Sequence, residues 1–482
     1  MSAPPDNFEE SRSEKLRRIE ELGLDPWGGR FDGHQPIGAI RALPADAQPP
    51  PRVRAAGRIV RRRDMGKAYF LDIWDWTGRI QVHVGKKQVG EKGWALAGAL
   101  DLGDLIGVDG TFGVTRTGEL TLFADGLHSL GKSLMPHPDK WSGMQEPEFR
   151  LRHRYLDLIY NPEVLERSLK RIRIVRRIRS YLDERGFCEV ETPTLQAIAG
   201  GAAARPFVTH HNALDIDLYL RIALELYLKR LLVGGMEKVY EIGRVFRNEG
   251  ISPRHNPEFT MLELYQAYAD YQSMMDLTEG MIVACAQMLG EGMTLTYGDQ
   301  MVDYTPPWPR QSYGELFREY VGVAMEDADA VRTEADKSGI PVTGKHVDVL
   351  IHQLFEEKVE HHLVGPVFVY DYPASLCPLT KRKRGNPALA ERFELYVGGM
   401  ELANAYTELN DPDTQEATFR QQVAGLPEDE SMAKMDEDFV RALRHGMPPA
   451  GGLGMGIDRL VMLLTNTKSI RDVILFPLLR PQ

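Results

Sequence analysis

Residues 241–265, EIGRVFRNEGISPRHNPEFTMLELY, concentrate more usable chemistry than any other stretch of the chain. Two alternating runs flank a loop with Gly250, Ser252 and Pro253, the pattern of an antiparallel pair joined by a long turn. A period of two puts Arg247 and Glu249 on one face of the first strand. It puts Phe259, Met261, Glu263 and Tyr265 on one face of the second, with Leu262 and Leu264 turned away. A guanidinium is a ready clamp for phosphate or carboxylate, and Phe259 offers a flat ring to a base. A solvated ladder of cross-strand ion pairs would explain neither His255 and Asn256 at the turn nor the sorting of polar groups onto one face.

Residues 392–410, RFELYVGGMELANAYTELN, carry a second constellation. Gly398-Gly399 reads as a two-residue hairpin turn, which sets Tyr396 opposite Glu401 and brings Glu394 to the face of Glu401. Two carboxylates placed diagonally across a hairpin suit Mg²⁺, which takes few protein oxygens and keeps water and phosphate. Asn404, Tyr406 and Glu408 have the other parity, so they share a pocket with Glu401 only if a bulge falls near Ala403. A surface hairpin with ordinary acidic residues is the plainer reading of the same segment. In 451–465, GGLGMGIDRLVMLLT, the glycines at 452, 454 and 456 mark a compact strand leading into an apolar helix. The third glycine comes too early for a dinucleotide loop, and Arg459 sits at the junction.

FRNEG, HNPEFT and ELY in the first segment resemble motif 2 of the class II aminoacyl-tRNA synthetases, in its lysine-enzyme form. Residues 183–207 (DERGFCEVETPTLQAIAGGAAARPF) resemble motif 1, and 451–465 resemble motif 3. The resemblance covers nearly all of the chain from about residue 50. It implies ATP-dependent formation of lysyl-adenylate and transfer of lysine to the 3′ end of tRNA(Lys) by a homodimer braced across motif 1. It implies catalytic roles for Arg247 and Arg459, and an ATP site of Arg247, Glu249, His255, Asn256, Phe259, Glu394, Glu401 and Arg459. Glu394 and Glu401 would hold Mg²⁺ on ATP. Lysine would meet Gly201, Glu225, Arg247, Glu263, Tyr265, Asn404, Tyr406 and Glu408. Two positions depart from the family pattern: Leu224 stands where many relatives have Pro, and Cys377 replaces the Ser of a Ser-Pro-Leu. Competing readings are an aspartate or asparagine enzyme, a paralogue that lysylates protein or lipid, and a non-catalytic OB-fold nucleic-acid-binding protein.

The elements that must position these residues are legible in outline. The expected class is α+β, an OB-fold barrel followed by a catalytic domain with a mainly antiparallel sheet flanked by helices. Residues 1–50 read as an N-terminal helix (11–22) and a Pro/Ala linker. Residues 51–136 hold five short strands with a helix at 94–100, an OB-fold barrel expected to read the anticodon. There Phe70, Gln81 and Glu119 match the residues that bind the central anticodon uridine in lysine and aspartate enzymes. Residues 137–163, with prolines at 136, 138 and 147 in and around them, form a hinge. Residues 164–482 form the catalytic domain, with a helical insertion at about 270–390. A helix over 164–185 carries apolar Leu165, Leu169, Ile172, Ile174, Val175, Ile178 and Leu182 at helical spacing.

With 482 residues the chain supports two or three domains, and its net charge of −11 would ordinarily disfavour nucleic acid. Basic residues nevertheless cluster at 52–67, 167–179 and 381–384, which points to patches for phosphate. The cysteines at 188, 285 and 377 lie far apart without a CxxC pair, indicating neither disulfides nor zinc. The acidic, Pro-rich start and the lack of any apolar run of membrane length fit a cytoplasmic protein with no membrane partner.

Overall fold

A computed structural model describes residues 7–135, 146–202, 204–423 and 435–481. The chain divides into two compact units, Met1–Phe149 and Arg150–Gln482. Prolines 136 and 138 of the expected hinge lie outside the described residues. From Pro147 onward that segment is already helical, with helices Pro147–Arg152 and Arg154–Tyr160.

In the first unit, strands β1 (Arg52–Asp64), β2 (Ala68–Asp75), β3 (Gly78–Gly85), β4 (Leu105–Val114) and β5 (Leu120–Gly131) close a barrel in the order β1-β2-β3-β5-β4. Alternation sends Val53, Ala55, Leu71, Ile73, Val82, Ile106 and Val108 into its core. The helix between β3 and β4 runs over Lys86–Ala99, starting earlier than the apolar pattern alone marks, with a non-helical Gly90 at φ 69°. Gly90 can adopt that backbone where a side chain would be strained.

The second unit is built on an eight-stranded sheet. Its strands are β6 (Cys188–Glu189), β7 (Lys238–Phe246), β8 (Glu258–Ala267), β9 (Arg310–Ser312), β10 (Val367–Pro373), β11 (Leu389–Tyr396), β12 (Glu401–Thr407) and β13 (Ala450–Gly456). They are ordered β9-β10-β11-β12-β13-β8-β7-β6 and are antiparallel except for the β9–β10 and β6–β7 pairs. A helix over Pro162–Asp183 and another over Tyr271–Leu289 pack on this sheet through Ile174, Ile178, Leu182, Met274, Ile282 and Cys285, all buried. Proline at the first position starts the former, while the Asp270 side chain caps the latter by accepting from Ser273 N–H (2.9 Å).

The region 270–390 is not one inserted body. Tyr271–Leu289 belongs to the main core and β9 and β10 to the main sheet, because their apolar residues are needed there. Between them, Tyr313–Val321, Ala328–Lys337 and Val347–Lys358 are helices, the first fixed by a capping box of Ser312 and Glu315. Their buried side chains join Val367, Val369 and Tyr372 of β10 in a second core. After the helix over Pro162–Asp183, residues 188–196 hold two short paired strands, Cys188–Glu189 and Leu195–Gln196, with 190–194 outside them.

Candidate active site

Strands β7 and β8 pair in register from Lys238↔Gln266 to Phe246↔Glu258. Leu262 and Leu264 face the core, fully buried, and the alternate residues Met261, Glu263 and Tyr265 face a cavity of about 570 Å³. Glu241 lies directly across from Glu263, a like-charge pair that would destabilise the ladder unaided. Each carboxylate has its own donors. Arg221 pairs with Glu241 at 2.5 Å, while Glu263 accepts from Leu224 N–H (3.0 Å) and from the Tyr265 hydroxyl (3.2 Å). A proline at 224 would have no N–H for that bond, so this departure from the family pattern gives Glu263 a partner.

One strand assignment changes. β7 ends at Phe246, so Arg247 lies just past the strand and Glu249 stands exposed in the loop rather than sharing a strand face with it. Arg247 lines the cavity, held by a long hydrogen bond to the Ile222 carbonyl (3.5 Å) and stacked 5.2 Å from the Phe259 ring. Burial lowers its pKa somewhat, against Glu249, Glu263 and Glu401, which favour the cation.

Across the sheet, Val397 and Met400 exchange backbone hydrogen bonds (3.0 and 3.2 Å) around Gly398 and Gly399, whose φ values are 62° and 66°. That is the two-residue turn in which both central residues need positive φ. Tyr396 pairs with Glu401, Leu395 with Ala403 and Glu394 with Asn404, so the extra residue is Leu402. The bulge at Leu402 is what puts Glu401, Asn404 and Tyr406 on one face.

Gly452 lies across from both Tyr265 and Tyr406, and Gly454 across from both Glu263 and Asn404. A Cβ at Gly452 would sit 1.9 Å from Glu408 Oε1 and 2.5 Å from Tyr265 Cε1. The motif 3 glycines are therefore the floor that lets these side chains converge. Gly201, at φ 87°, closes another wall, where a Cβ would come 3.0 Å from that of Ala223.

The structure sorts the candidate residues into two groups. Gly201, Glu225, Arg247, Glu263, Tyr265, Asn404 and Tyr406 line the cavity. Arg459, Glu401 and His255 form a cluster of their own. Arg459 donates to the Glu401 carbonyl (2.7 Å) and carboxylate (3.3 Å), and its Nη2 lies 3.2 Å from His255 Nε2. A guanidinium only donates, so His255 Nε2 accepts and its Nδ1–H turns to Ser252 Oγ (2.8 Å). Desolvation, reinforced by Arg459, lowers the His255 pKa and keeps the ring neutral. Asn256 is buried, donates to the Glu258 carbonyl (2.7 Å), and leaves Oδ1 without a partner.

Two candidates are placed differently from the sequence reading. Glu408 is fully buried and is not among the residues lining the cavity; it pairs with Lys229, itself fully buried. Glu394 is engaged by Arg392, by Tyr372 (2.9 Å) and by Tyr396 (2.6 Å), whose hydroxyl oxygen also lies 2.9 Å from Glu360 Oε1. Glu401, more than a third exposed, is the more open of the two intended metal ligands. Among the described residues no group of three or more His, Cys, Asp or Glu is arranged to hold a metal. A magnesium ion that takes most of its ligands from phosphate and water needs no such cage, and Glu401 fits that role.

Burial dominates the titration of the cavity wall. Desolvation, with Glu225 adding, raises Glu263 to about 7 against the Leu224 and Tyr265 hydrogen bonds. Desolvation also raises Glu408 to about 8, against Lys229. Sequence reasoning missed Lys229, Arg392 and Glu360. Lys229 follows Glu225 by four residues in a helix over Glu225–Val233, the spacing of an ion pair, and that was the available signal.

The barrel has its own cleft, of about 610 Å³, in which Phe70, Gln81 and Glu119 come together. Phe70 is half-buried on the outer side of β2, while Tyr69 and Leu71 enter the core. Asp72 pairs across from Gln81, and Gln81 Oε1 accepts from Thr121 Oγ1 (3.1 Å), leaving its amide NH₂ to the cleft. Of the first basic cluster, alternation delivers Arg61 and Arg63 to this cleft, whereas Arg52 pairs with Asp125 and Arg62 covers Tyr69. The second cluster is mostly engaged within the protein: Arg171 bonds Asp458 (2.5 Å) and Thr260 (3.1 Å), and Arg179 pairs with Glu189 (2.8 Å).

The family model for class II tRNA synthetases (D, K and N) matches residues 146–480, and the model for the OB-fold nucleic acid binding domain matches 53–130. The chain is 52% identical over 476 residues to a lysine–tRNA ligase of Moorella thermoacetica, covering 98% of this chain and 97% of that one. It is 52% identical to the lysine–tRNA ligase of Pelotomaculum thermopropionicum, covering 98% and 94%. With that of Halalkalibacterium halodurans it shares 49% identity, covering 97% and 96%.

Proposed function

Because the chain belongs to the class II tRNA synthetases of the D, K and N group, we propose a residue-level account of how it activates lysine with ATP and charges tRNA. The observation that carries the choice of lysine is the cavity wall. Glu225 and Glu263 line it, joined by Tyr265 and Tyr406. An aspartate or asparagine pocket needs a free donor or cation for the side chain at that wall; the wall presents carboxylates, and the lining guanidinium of Arg392 is committed to Glu394.

Lysine enters with its ammonium groups toward Glu225 and Glu263 and its carboxylate toward Arg247. A carboxylate oxygen then attacks the α-phosphorus of ATP and pyrophosphate leaves. Arg247 holds nucleophile and α-phosphate together, so the reaction draws on proximity and on charge neutralisation as the transition state forms. Phe259, already stacked under Arg247, receives the adenine. Arg459 meets the distal phosphates, kept in place by Glu401 and by the acceptor nitrogen of neutral His255. Glu249 and Asn256 complete the ATP side, Asn256 by shaping the loop. Mg²⁺, when it accompanies ATP, neutralises phosphate charge; Glu401 would hold it, with Glu394 behind. A terminal ribose hydroxyl of tRNA then attacks the lysyl carbonyl and gives up its proton; the ester forms as the anhydride bond breaks, and AMP leaves. In the barrel, Phe70 stacks an anticodon base, and Gln81 and Glu119 read its edge.

Two copies of the chain form the working assembly. The helix Pro162–Asp183, which leads into motif 1, spends Ile174, Ile178 and Leu182 on its own core and leaves Leu165 and Leu169 half-buried and Ile172 50% exposed, a residual apolar stripe for a partner. Within the described residues no helix is long and apolar enough to cross a membrane.

The test is ATP–pyrophosphate exchange with each of the twenty amino acids, followed by charging of tRNA. Lysine alone should support both. Exchange driven by aspartate or asparagine would overturn the reading of the cavity wall.

A further inference from the structure

Behind the cavity wall lies a charge that the reaction does not use. Lys229 has no exposed surface, yet its ammonium lies 2.5 Å from Glu225 Oε1 and also contacts Glu408 Oε2. The second oxygen of Glu225 accepts from the Tyr406 hydroxyl at 2.8 Å. The rings of Tyr406 and Tyr265 stand 5.6 and 5.9 Å from the ammonium. A buried ammonium is costly unless paired, and this one stands directly behind a surface built to receive ammonium groups.

We propose that Lys229 is a positioning residue for amino-acid selection: it bridges Glu225 and Glu408, fixes Glu225 against Tyr406, and cancels one of three converging carboxylates. The proposal rests on the reading of Glu225 and Glu263 as the amino-acid wall. The groups facing the bridge come from every neighbouring element: Glu225 on its own helix, Glu263 and Tyr265 on β8, Tyr406 and Glu408 at the end of β12, with Arg247 beyond β7. Three carboxylates less Lys229 leave two uncancelled negative charges. A ligand with an α-ammonium and a side-chain ammonium supplies two positive charges, and its carboxylate is met by Arg247. Bound in this way, the ligand leaves the cavity electrically balanced.

The alternative is that Lys229 merely ties a helix to a strand. The two roles separate in a pH profile. Without the bridging ammonium, Glu225 and Glu408 face each other and share a proton to higher pH, as close carboxylates do. Lysine needs them ionised, so its use should shift to higher pH. Burial by itself would lower the ammonium's pKa, but the pull of Glu225 and Glu408 raises it, so Lys229 stays charged across the tested range.

The experiment measures kcat/KM for lysine in pyrophosphate exchange against pH, with KM for ATP alongside, in wild type, Lys229→Met and Lys229→Met/Glu408→Gln. The expected result for Lys229→Met is a midpoint displaced upward by about one pH unit or more, with KM for ATP within about twofold of wild type. The double variant, in which the Glu225–Glu408 pair is removed, should lose the displaced midpoint. An unshifted profile in Lys229→Met overturns the proposal. So does a displacement that persists in the double variant, or equal rises in both KM values with a lowered Tm. If Lys229→Met fails to fold, Lys229→Gln, which keeps a donor between the carboxylates without the charge, answers through the same profile. Wild-type exchange that does not select lysine would instead sink the underlying reading of the wall.

Discussion

Two clefts, one in each unit, are nearly equal in size, about 570 Å³ in the catalytic unit and about 610 Å³ in the barrel, and opposite in construction. The catalytic cavity is walled by carboxylates and tyrosines whose partners are internal: Glu263 on Leu224 N–H, Glu225 on Lys229 and Tyr406. The barrel cleft has arginines at its rim, Arg61, Arg63 and Arg116 among them, and a half-buried Phe70. A small cationic ligand has to be desolvated to be recognised, so its site is buried and its charges are committed beforehand. A nucleic acid brings its phosphates in water, so its site is open and its charges stay solvated.

Removing the proposed clamp, Arg247, is the hardest blow to the first cleft. Arg247→Ala should lower kcat for pyrophosphate exchange by at least about a hundredfold with an unchanged far-UV circular dichroism spectrum. Near-normal exchange in that variant would break the assignment of Arg247. Glu263→Gln comes next: the loss of a desolvated charge partner should cost lysine about 2–5 kcal/mol of kcat/KM while leaving KM for ATP near wild type. Equal effects on both substrates would place the ammonium groups elsewhere.

For the open cleft the effect is smaller. Phe70→Ala should reduce tRNA charging by the worth of one stacked base, about 1–3 kcal/mol, and spare lysine-dependent exchange, which needs no tRNA. If both activities fall together, Phe70 supports the barrel rather than a base.

The finest test uses protons. Burial holds Glu263, on the cavity wall, at about 7 and Glu408, behind it, at about 8, and an ammonium ligand favours their ionised forms. Lysine binding should therefore release protons, and its affinity should increase with pH through that window. Titration calorimetry in two buffers of different ionisation enthalpy measures this directly, and equal heats would refute it. The stability counterpart has a definite sign. A folded-state pKa raised above the ordinary glutamate value contributes stability that is fully present below that value and is lost as pH rises through about 7. The gain in Tm on adding lysine should thus grow with pH.

Local geometry follows from the order of the residues alone. The alternation in 258–267 separated Leu262 and Leu264 from Glu263 and Tyr265, because a strand has only two faces. Gly398-Gly399 fixed its hairpin, because both turn residues need positive φ. The five barrel strands were legible for the same reason. Which charges remain available depends instead on how the elements pack. The helix carrying Arg171 and Arg179 reads as a basic surface, yet its guanidiniums are engaged by Asp458 and Glu189, residues remote or merely nearby in sequence. Glu408 has the parity of a pocket residue, but Lys229, nearly two hundred positions away, holds it behind the wall. Residues 270–390 look like an insertion, yet β9 and β10 complete the main sheet. Spacing along a chain fixes which way a side chain points, but its partners come from other elements, and a buried charge is defined by its partner.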